Sequence, residues 1–339
     1  MQKILLVGLG RIGRNVLSLI LSDKFFDNYK VCFFDKNRDI DNFVYLLNYD
    51  GFDRQKRFVN YNETIHDSIS NRNIEFYDFL NETVNFPSDF NFIFETSGTL
   101  ELFENKSKVD CPVFISHAPD NNVDKYVIPN INENSVDLNK DRRISMSICD
   151  TTAIAPILNN IDQNFKILVG HVTTLHPWLN YQNLLGNPVL SSGIPNSYWK
   201  DYSLGRKATE NLIPKSTTAI SALKKVLPVI ANKITSFSYR IPTPVVSSAI
   251  INLKLEKIPF STDILHKNII NFYKEIEINN DPLISSDFIQ NPSASIINSK
   301  YTQLKDDIVS MMIWYDNEFG YSNQYVNSIK KIIQRVENV

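Results

Sequence analysis

The chain has 339 residues, a formal net charge of −2 and 21% charged residues, which suits two globular domains and argues against a broad basic surface for nucleic acid. No apolar run approaches the roughly 18 residues that a membrane-spanning helix needs. Cys32, Cys111 and Cys149 have no paired spacing, so we expect a reducing, cytoplasmic location and no disulfide framework.

The first part of the chain alternates between apolar, β-rich runs and segments with helical periodicity. The predicted strands lie at 3–7, 29–34, 91–95 and 112–116, and the predicted helices lie near 12–21 and 41–49. This order is typical of α/β proteins. It predicts an open, largely parallel, Rossmann-type sheet over residues 1–148.

The second part has longer strands that partly alternate between apolar and polar residues, as antiparallel strands with one buried face do. Strands are predicted at 166–174, 234–240, 247–255 and 308–314, and helices at 151–161, 217–229, 264–276 and 323–336. We therefore predict an α+β catalytic domain with a mainly antiparallel sheet over 149–317, and a C-terminal helix, 318–339, that completes the first domain. Asp150 is interpreted as the N-cap of the helix that follows it.

A glycine cluster follows the first predicted strand. Glycine is scarce, with 10 residues in the chain, yet Gly8, Gly10 and Gly13 fall together where the strand meets a helix. This spacing is the dinucleotide fingerprint: a tight turn, a close approach of the pyrophosphate to the backbone, and close helix packing. A glycine-rich surface turn is the alternative interpretation.

Asp35 ends the second predicted strand, about 20 residues beyond the glycines, where the fingerprint requires an acid. Its carboxylate would accept hydrogen bonds from ribose hydroxyls and repel a 2′-phosphate. NAD is therefore the expected cofactor, although Lys36 leaves room for some use of NADP.

Cys149 lies between an apolar run and a predicted helix, where free N–H groups would stabilise a thiolate. His176 ends another strand-like run, and an imidazole beside a thiol makes a reactive pair. Taken alone, these two residues would more readily be a small core residue and an ordinary hydrogen-bonded histidine.

Several longer motifs then occur in one order along nearly the whole chain. They are 8–14 (GLGRIGR), 45–51 (YLLNYDG), 95–98 (ETSG), 211–217 (NLIPKST), 240–244 (RIPTP) and 314–323 (WYDNEFGYSN). Together they resemble the glyceraldehyde-3-phosphate dehydrogenase family, and the last motif is very specific.

The resemblance implies roles for matching positions. Cys149 is the expected nucleophile, which attacks an aldehyde carbonyl, and His176 is its base. The implied cofactor contacts are Gly8, Gly10, Arg11, Ile12, Gly13, Asp35, Ser97, Gly98, Asn317 and Tyr321. Asn317 would hold the nicotinamide carboxamide and Tyr321 would lie beside the ring. The resemblance also implies a homotetramer that acts on a small-molecule aldehyde.

The sequence departs from the family where phosphate is bound. The family's Ser-Cys-Thr stretch is here Ile148-Cys149-Asp150, which replaces two hydroxyl donors with an apolar and an acidic side chain. A carboxylate about 5 Å from a phosphate costs roughly 3 kcal/mol per unit charge at an effective dielectric near 20. The alternative is that Asp150 only caps the helix, with its charge solvated.

A second phosphate position is also altered, because Leu179 stands where the family has threonine. Thr217 and Arg240 remain as expected substrate ligands, with Thr151 beside the nucleophile and Arg206 near a lost arginine. The segment 176–214, which in the family forms a loop at the subunit interface, is longer than usual.

Three functions follow as alternatives. The chain oxidises glyceraldehyde 3-phosphate with phosphate as acceptor; or it acts on a different, unphosphorylated aldehyde or in the direction of acyl reduction; or it is a non-catalytic NAD-binding protein. The five histidines show no ligand spacing with carboxylates or cysteines, so we expect no metal.

Overall fold

A computed structural model describes residues 2–50, 56–77, 89–98, 109–186 and 202–337. The chain forms two compact units: Met1–Ser147 with Tyr325–Val339, and Ile148–Gln324. The sequence-based division assigned 318–324 to the first domain. The structure assigns them to the second unit, where Asp316 accepts the backbone N–H groups of Glu318 and Phe319 at 2.9 and 2.8 Å.

The first unit contains nine described strands and the helices that follow them. The strands are β1 (Gln2–Val7), β2 (Tyr29–Phe34), β3 (Phe58–Tyr61), β4 (Thr64–Asp67), β5 (Arg72–Phe76), β6 (Phe92–Glu95), β7 (Val113–Ile115), β8 (Lys125–Tyr126) and β9 (Arg143–Ser145). The helices are α1 (Arg11–Ser22) and α2 (Ile40–Tyr49), with short 3-10 turns at Lys24–Phe26 and Glu133–Ser135.

These strands form one sheet in the order β3-β4-β5-β2-β1-β6-β7-β9-β8. All neighbours pair in parallel except β3 with β4 and β4 with β5, which are antiparallel. The predicted Rossmann-type sheet is confirmed. Because the chain order reverses between β2-β1 and β6-β7, the carboxyl ends of β1, β2 and β6 border one crevice.

The second unit has seven strands and five helices among its described residues. The strands are β10 (Ile167–Pro177), β11 (Ile213–Lys215), β12 (Ile234–Ile241), β13 (Ser247–Leu255), β14 (Ile276–Asn279), β15 (Ser295–Lys305) and β16 (Ile308–Tyr315). The helices are α3 (Cys149–Phe165), α4 (Ala219–Val226), α5 (Pro228–Ala231), α6 (Thr262–Phe272) and α7 (Phe319–Glu337), whose later turns belong to the first unit.

The second sheet has the order β11-β12-β10-β13-β16-β15-β14. Only β10 with β12 and β14 with β15 pair in parallel, so the predicted mainly antiparallel sheet is confirmed. The alternation in β16, where Val309, Met311 and Ile313 are buried, shows that one face of this sheet packs into the core.

Two helix predictions were too long. The helix predicted at 264–276 ends at Phe272, and Ile276 begins β14. The helix predicted at 217–229 divides before Pro228, whose ring cannot continue a helix. Within the described ranges, no helix is long and apolar enough to cross a membrane.

Candidate functional site

The glycine turn after β1 is shaped by contacts that exclude a side chain. Gly8 has a φ of +84°, and a Cβ there would lie 2.5 Å from the Cα of Ser97. A Cβ on Gly13 would lie 1.9 Å from the carbonyl oxygen of Gly8. Both positions therefore need glycine, because Ser97 lies directly against Gly8 and α1 packs onto the turn at Gly13.

Gly10 differs, since a Cβ there would meet no atom within 4 Å. It is the N-cap of α1 and makes no side-chain cap bond, and the N-terminus of a helix is a favourable place for an anion. Arg11 and Ile12, both partly buried, form that first turn. The turn has the space and the donors that a pyrophosphate requires.

A cavity of about 250 Å³ lies beside this turn, lined by Val7, Gly8, Gly10, Phe34, Asp35, Lys36, Thr96 and Ser97. The Asp35 carboxylate accepts the N–H of Leu9 at 2.7 Å and the N–H of Asn37 at 2.9 Å. Each carboxylate oxygen keeps a second acceptor site for a ribose hydroxyl. These residues fit the adenosine half of NAD.

The end of β6 holds a buried acid. Glu95 is fully buried and accepts the N–H of Ser97 at 2.8 Å, and burial raises its pKa to about 7. His117 Nδ1 lies 3.6 Å from Glu95 Oε2, and burial lowers the pKa of His117 to about 4. Gly98 follows with a φ of +75°. His117 is therefore neutral near pH 7, whereas Glu95 changes its charge there. The hydrogen bonds that Glu95 accepts fix the backbone at Ser97.

Cys149 is the first residue of α3, with Ile148 as the N-cap. Ile148 has no side chain that can cap the helix, so the N-terminal turn of α3 is left to other groups. Cys149 is partly exposed. The structure therefore places Cys149 at a helix N-terminus, as the sequence predicts.

Asp150 is not the N-cap that the sequence predicts, and its charge is not solvated. It lies inside the first turn of α3 and is 6% exposed. Its Oδ1 accepts a 2.7 Å hydrogen bond from the Tyr315 hydroxyl and a 3.6 Å contact from the Cys149 thiol. The helix starts two residues earlier than expected, at Cys149 rather than 151, which turns Asp150 inward beside the nucleophile.

His176 lies near the end of β10 and faces the thiol. Its Nε2 is 3.5 Å from Cys149 Sγ, and its Nδ1 is 2.7 Å from the carbonyl oxygen of Pro177. Because a carbonyl can only accept, Nδ1 carries the hydrogen and the Nε2 lone pair points to the thiol. The tertiary fold thus brings together the predicted pair from two separate elements.

The electrostatics keep this pair neutral. Burial and then the Asp150 charge raise the pKa of the Cys149 thiol well above its usual value. Burial and then the Arg240 cation lower the pKa of His176 to about 4. A neutral imidazole beside a protonated thiol can accept the proton that the thiol must lose when it attacks.

Comparisons with known proteins agree with this arrangement. Residues 148–317 match the family model for the glyceraldehyde 3-phosphate dehydrogenase C-terminal domain. Glyceraldehyde-3-phosphate dehydrogenase 4 of Caenorhabditis elegans is 32% identical over 97% of this chain and 97% of its own length. This chain belongs to the glyceraldehyde-3-phosphate dehydrogenase family.

Two further relatives align with a smaller share of the chain. Glyceraldehyde-3-phosphate dehydrogenase 2 of Bacillus subtilis is 30% identical over 65% of this chain and 64% of its own length. A glyceraldehyde-3-phosphate dehydrogenase-like protein of Pseudomonas aeruginosa is 34% identical over 62% of this chain, which spans 44% of that relative. Family membership supports an oxidoreductase that uses NAD.

Arg240 is one of the residues that the family resemblance implies as a phosphate ligand. Arg240 lies near the end of β12, where it pairs with His176 in the strand register. It is 7% exposed and donates to the Tyr181 hydroxyl at 3.4 Å. Its buried Nε has no hydrogen-bond partner among the described residues. Arg240 is thus a cation with spare donor capacity near the reacting pair.

The other expected phosphate ligands differ from Arg240. The Thr151 hydroxyl donates to the carbonyl of Ala219 at 2.9 Å, and Thr217 Oγ1 accepts the Ala219 N–H at 3.0 Å. Leu179 is partly buried and offers no donor. Arg206 is exposed, and its side chain makes no hydrogen bond or ion pair with the described residues.

Asn317 lies two residues before α7 and Tyr321 lies in its first turn. The two residues are 6% and 5% exposed. Asn317 Oδ1 is buried and has no hydrogen-bond partner within the described ranges. An unpartnered amide oxygen fits an acceptor for the carboxamide N–H of a nicotinamide. Their role at the cofactor remains a prediction.

Sequence reasoning missed two features of this site. Tyr315 was noted only inside a family motif, although its place at the end of β16 was a signal that it borders the same region as His176. The second feature is a cluster of possible metal ligands, which spacing along the chain does not reveal. Ligand atoms of Cys149, Asp150 and His176 all lie within 4.8 Å of one another, because the fold brings together residues that are distant in sequence.

Proposed function

We propose that this protein oxidises a small aldehyde with NAD, through a covalent intermediate on Cys149. The observation that carries the proposal is the 3.5 Å contact between Cys149 Sγ and an imidazole nitrogen whose lone pair faces the thiol. Covalent catalysis requires a nucleophile and a base within hydrogen-bond distance, with the base oriented by a third group.

The chain's own residues account for the proton movements. As Sγ bonds to the carbonyl carbon, the thiol proton passes to His176 Nε2 and then to the carbonyl oxygen, which gives a thiohemiacetal. When bound, NAD supplies the acceptor for the hydride that leaves this carbon. The hydroxyl proton returns to His176, and a thioester on Cys149 remains.

An acyl acceptor then attacks the thioester carbon and the C–S bond breaks, which releases Cys149. With inorganic phosphate as acceptor, the product is an acyl phosphate. The names of the relatives and the buried cation of Arg240 support glyceraldehyde 3-phosphate as substrate, since a guanidinium with a spare N–H suits a phosphate oxygen.

A second candidate is the same chemistry on an unphosphorylated aldehyde, or its reverse, the reduction of an activated acyl group. The buried Asp150 carboxylate, 3.6 Å from the nucleophile, favours it. A carboxylate there repels a phosphate acceptor, and Leu179 offers the substrate no hydroxyl. Water is then the acceptor that releases the thioester.

We also propose self-association through the sheet of the second unit. Phe237 and Ile250 both pair with Thr173 in the strand register, so the three share one face. Phe237 is 44% exposed and Ile250 is 39% exposed. Neighbouring exposed apolar side chains of this kind favour an interface, and light scattering of purified protein would measure the oligomer.

The test is NADH formation with glyceraldehyde 3-phosphate, with and without inorganic phosphate, beside a panel of unphosphorylated aldehydes. Cys149→Ala should abolish turnover, and His176→Asn should lower kcat by about 10²- to 10⁴-fold. Cys111→Ala is the matched control, because Cys111 packs beside a core cluster of the first unit.

Each outcome of this test is decisive. Phosphate-dependent turnover supports the first candidate, whereas turnover of an unphosphorylated aldehyde without phosphate supports the second. If no aldehyde is turned over and NAD still binds, the proposal of a dehydrogenase fails and a non-catalytic NAD-binding protein remains.

A further inference from the structure

We propose that Cys149, Asp150 and His176 form a binding site for a thiophilic divalent cation of the Zn²⁺ type, which blocks the nucleophile when bound. Sulfur, imidazole nitrogen and carboxylate oxygen are the ligand atoms that zinc prefers in proteins. The three side chains come from the start of α3 and the end of β10, two regular elements that hold them in place.

The ligand atoms have the separations of a tetrahedral site. Cys149 Sγ lies 3.5 Å from His176 Nε2 and 3.6 Å from Asp150 Oδ1, and all three ligand atoms lie within 4.8 Å of one another. A tetrahedral ion with bonds of about 2.3 Å to sulfur and about 2.0 Å to nitrogen or oxygen places its ligands about 3.5 Å apart. Small side-chain rotations therefore complete the site.

Both non-sulfur ligands are oriented by further hydrogen bonds. His176 Nδ1 donates to the Pro177 carbonyl at 2.7 Å, which leaves Nε2 as the free lone pair. The Tyr315 hydroxyl donates to Asp150 Oδ1 at 2.7 Å, and within the described ranges Oδ2 has no partner. Such outer partners fix ligand orientation in metal sites and are worth about 10- to 100-fold in affinity.

Charge balance favours the divalent ion. Binding replaces the thiol proton, which is released to solvent, so a thiolate and a carboxylate offset the two positive charges. Arg240 and Lys215, the cations that act on His176, oppose it. With three protein ligands, the fourth position is left to water, and the ion can exchange, unlike one in a closed structural site.

Asp150 supplies the anionic third ligand of the proposed site. The uncharged threonine usual at this position in the family would leave a cysteine and a histidine without an anionic third ligand. The proposal that the cation binds rests only on the separations of these three ligand atoms. Its consequence for turnover rests on the proposed function, since a metal-bound thiolate cannot attack an aldehyde.

The experiment uses the full chain after treatment with a chelator. Co²⁺, as a spectroscopic probe, should bind one equivalent and give the charge-transfer absorption of a thiolate ligand. Zn²⁺ should displace it and should slow alkylation of Cys149 by iodoacetamide, mapped by mass spectrometry. The charge-transfer absorption should disappear in Cys149→Ser.

Asp150→Asn keeps the shape of the side chain and should weaken Zn²⁺ binding at least tenfold, as should His176→Gln. Asp263→Asn, an exposed acid in the first turn of α6, is the matched control and should bind as the unchanged protein does. Thermal melts with and without Zn²⁺ identify any variant that fails to fold. Tyr315→Phe then replaces it, and should weaken Zn²⁺ binding by about tenfold or more.

Unchanged Zn²⁺ affinity in Asp150→Asn, or a cobalt spectrum that persists in Cys149→Ser, would overturn the proposal. The two proposals fail separately. Metal binding without turnover of any aldehyde by the metal-free protein removes only the dehydrogenase assignment, and turnover that Zn²⁺ leaves unaffected removes only the metal site.

Discussion

One carboxylate oxygen, Asp150 Oδ1, accepts from both the Tyr315 hydroxyl and the Cys149 thiol, at 2.7 and 3.6 Å. Tyr315 is 1% exposed, and burial, followed by the charge of Asp150, raises the pKa of its hydroxyl well above the usual value. The tyrosine therefore stays protonated and donates. A buried negative charge is thus held beside the residue that must itself become negative.

Removing that charge should make the nucleophile more acidic. Asp150→Asn keeps an oxygen for Tyr315 but removes the repulsion, so the pKa of Cys149 should fall by about one unit or more. The pH midpoint for iodoacetamide alkylation of Cys149, measured with chelator present, should move down by that amount. Asp263→Asn should leave the midpoint unchanged, and a midpoint that rises or stays in Asp150→Asn contradicts the account.

Tyr315→Phe removes the donor and leaves the buried carboxylate with the thiol as its remaining partner among described residues. We expect a loss of about 2 kcal/mol in the free energy of unfolding, as for a buried hydrogen bond to a charged group. Urea unfolding at neutral pH measures it, with exposed Tyr301→Phe as control.

The double variant tests whether the two residues act through each other. In Asp150→Asn the bond to Tyr315 is neutral, so Tyr315→Phe should then cost less, with a coupling of about 1 kcal/mol. Additive losses would show that Tyr315 stabilises the fold by packing alone.

Glu95 should make the stability of the protein depend on pH. Its folded pKa of about 7 lies above the usual 4.5, so the folded state binds the proton more tightly than the unfolded chain does. Stability from this group is complete below pH 4.5 and is lost as the pH rises to about 7. The loss is on the order of 3 kcal/mol.

Glu95→Gln should remove this dependence. The variant should melt at a higher temperature than the unchanged protein at pH 8, with a smaller difference at pH 5. Glu75→Gln on the same sheet, where the side chain is exposed and pairs with Lys30, should show no such gain at pH 8. An equal effect of Glu95→Gln at both pH values would rule out the titration of Glu95 as its source.

Alanine at two glycines should separate folding from cofactor binding. In Gly13→Ala the new Cβ meets the Gly8 carbonyl, so we expect the free energy of unfolding to fall by about 1–3 kcal/mol. The affinity for NAD should fall as well. In Gly10→Ala the Cβ meets nothing within 4 Å, so stability should change by no more than about 0.5 kcal/mol.

NAD should nevertheless bind more weakly to Gly10→Ala, because the methyl group projects into the space assigned to the pyrophosphate. Calorimetric titration with NAD beside thermal melts measures both quantities. Full NAD affinity in Gly10→Ala would mean that the pyrophosphate does not pass over this residue.

Most helices and strands could be predicted from local sequence patterns, because their formation depends largely on residues that are close together in the sequence. The run 29–34 and the stretch 247–255 are strands with the bounds that their composition indicates. The site was predicted less completely. The orientation of Asp150 depends on the helix beginning at Cys149 and on a tyrosine 165 residues away, and no local pattern contains that information.

The helix predicted at 264–276 shows a second limit. Its apolar spacing continues to Ile276, but those last residues belong to β14, which pairs with β15. Apolar residues satisfy a helix or an edge strand equally well over four residues, and the tertiary pairing decides between them.

The final turns of α7 have a consequence for synthesis on the ribosome. Tyr325, Ile329 and Ile333 are fully buried in the first unit, and the Tyr325 hydroxyl donates to the Phe114 carbonyl at 2.7 Å. Residues 2–147 are therefore translated long before the segment that covers part of their core emerges. The nascent chain must carry that apolar surface uncovered through translation of the whole second unit, a period in which chaperones have access to it.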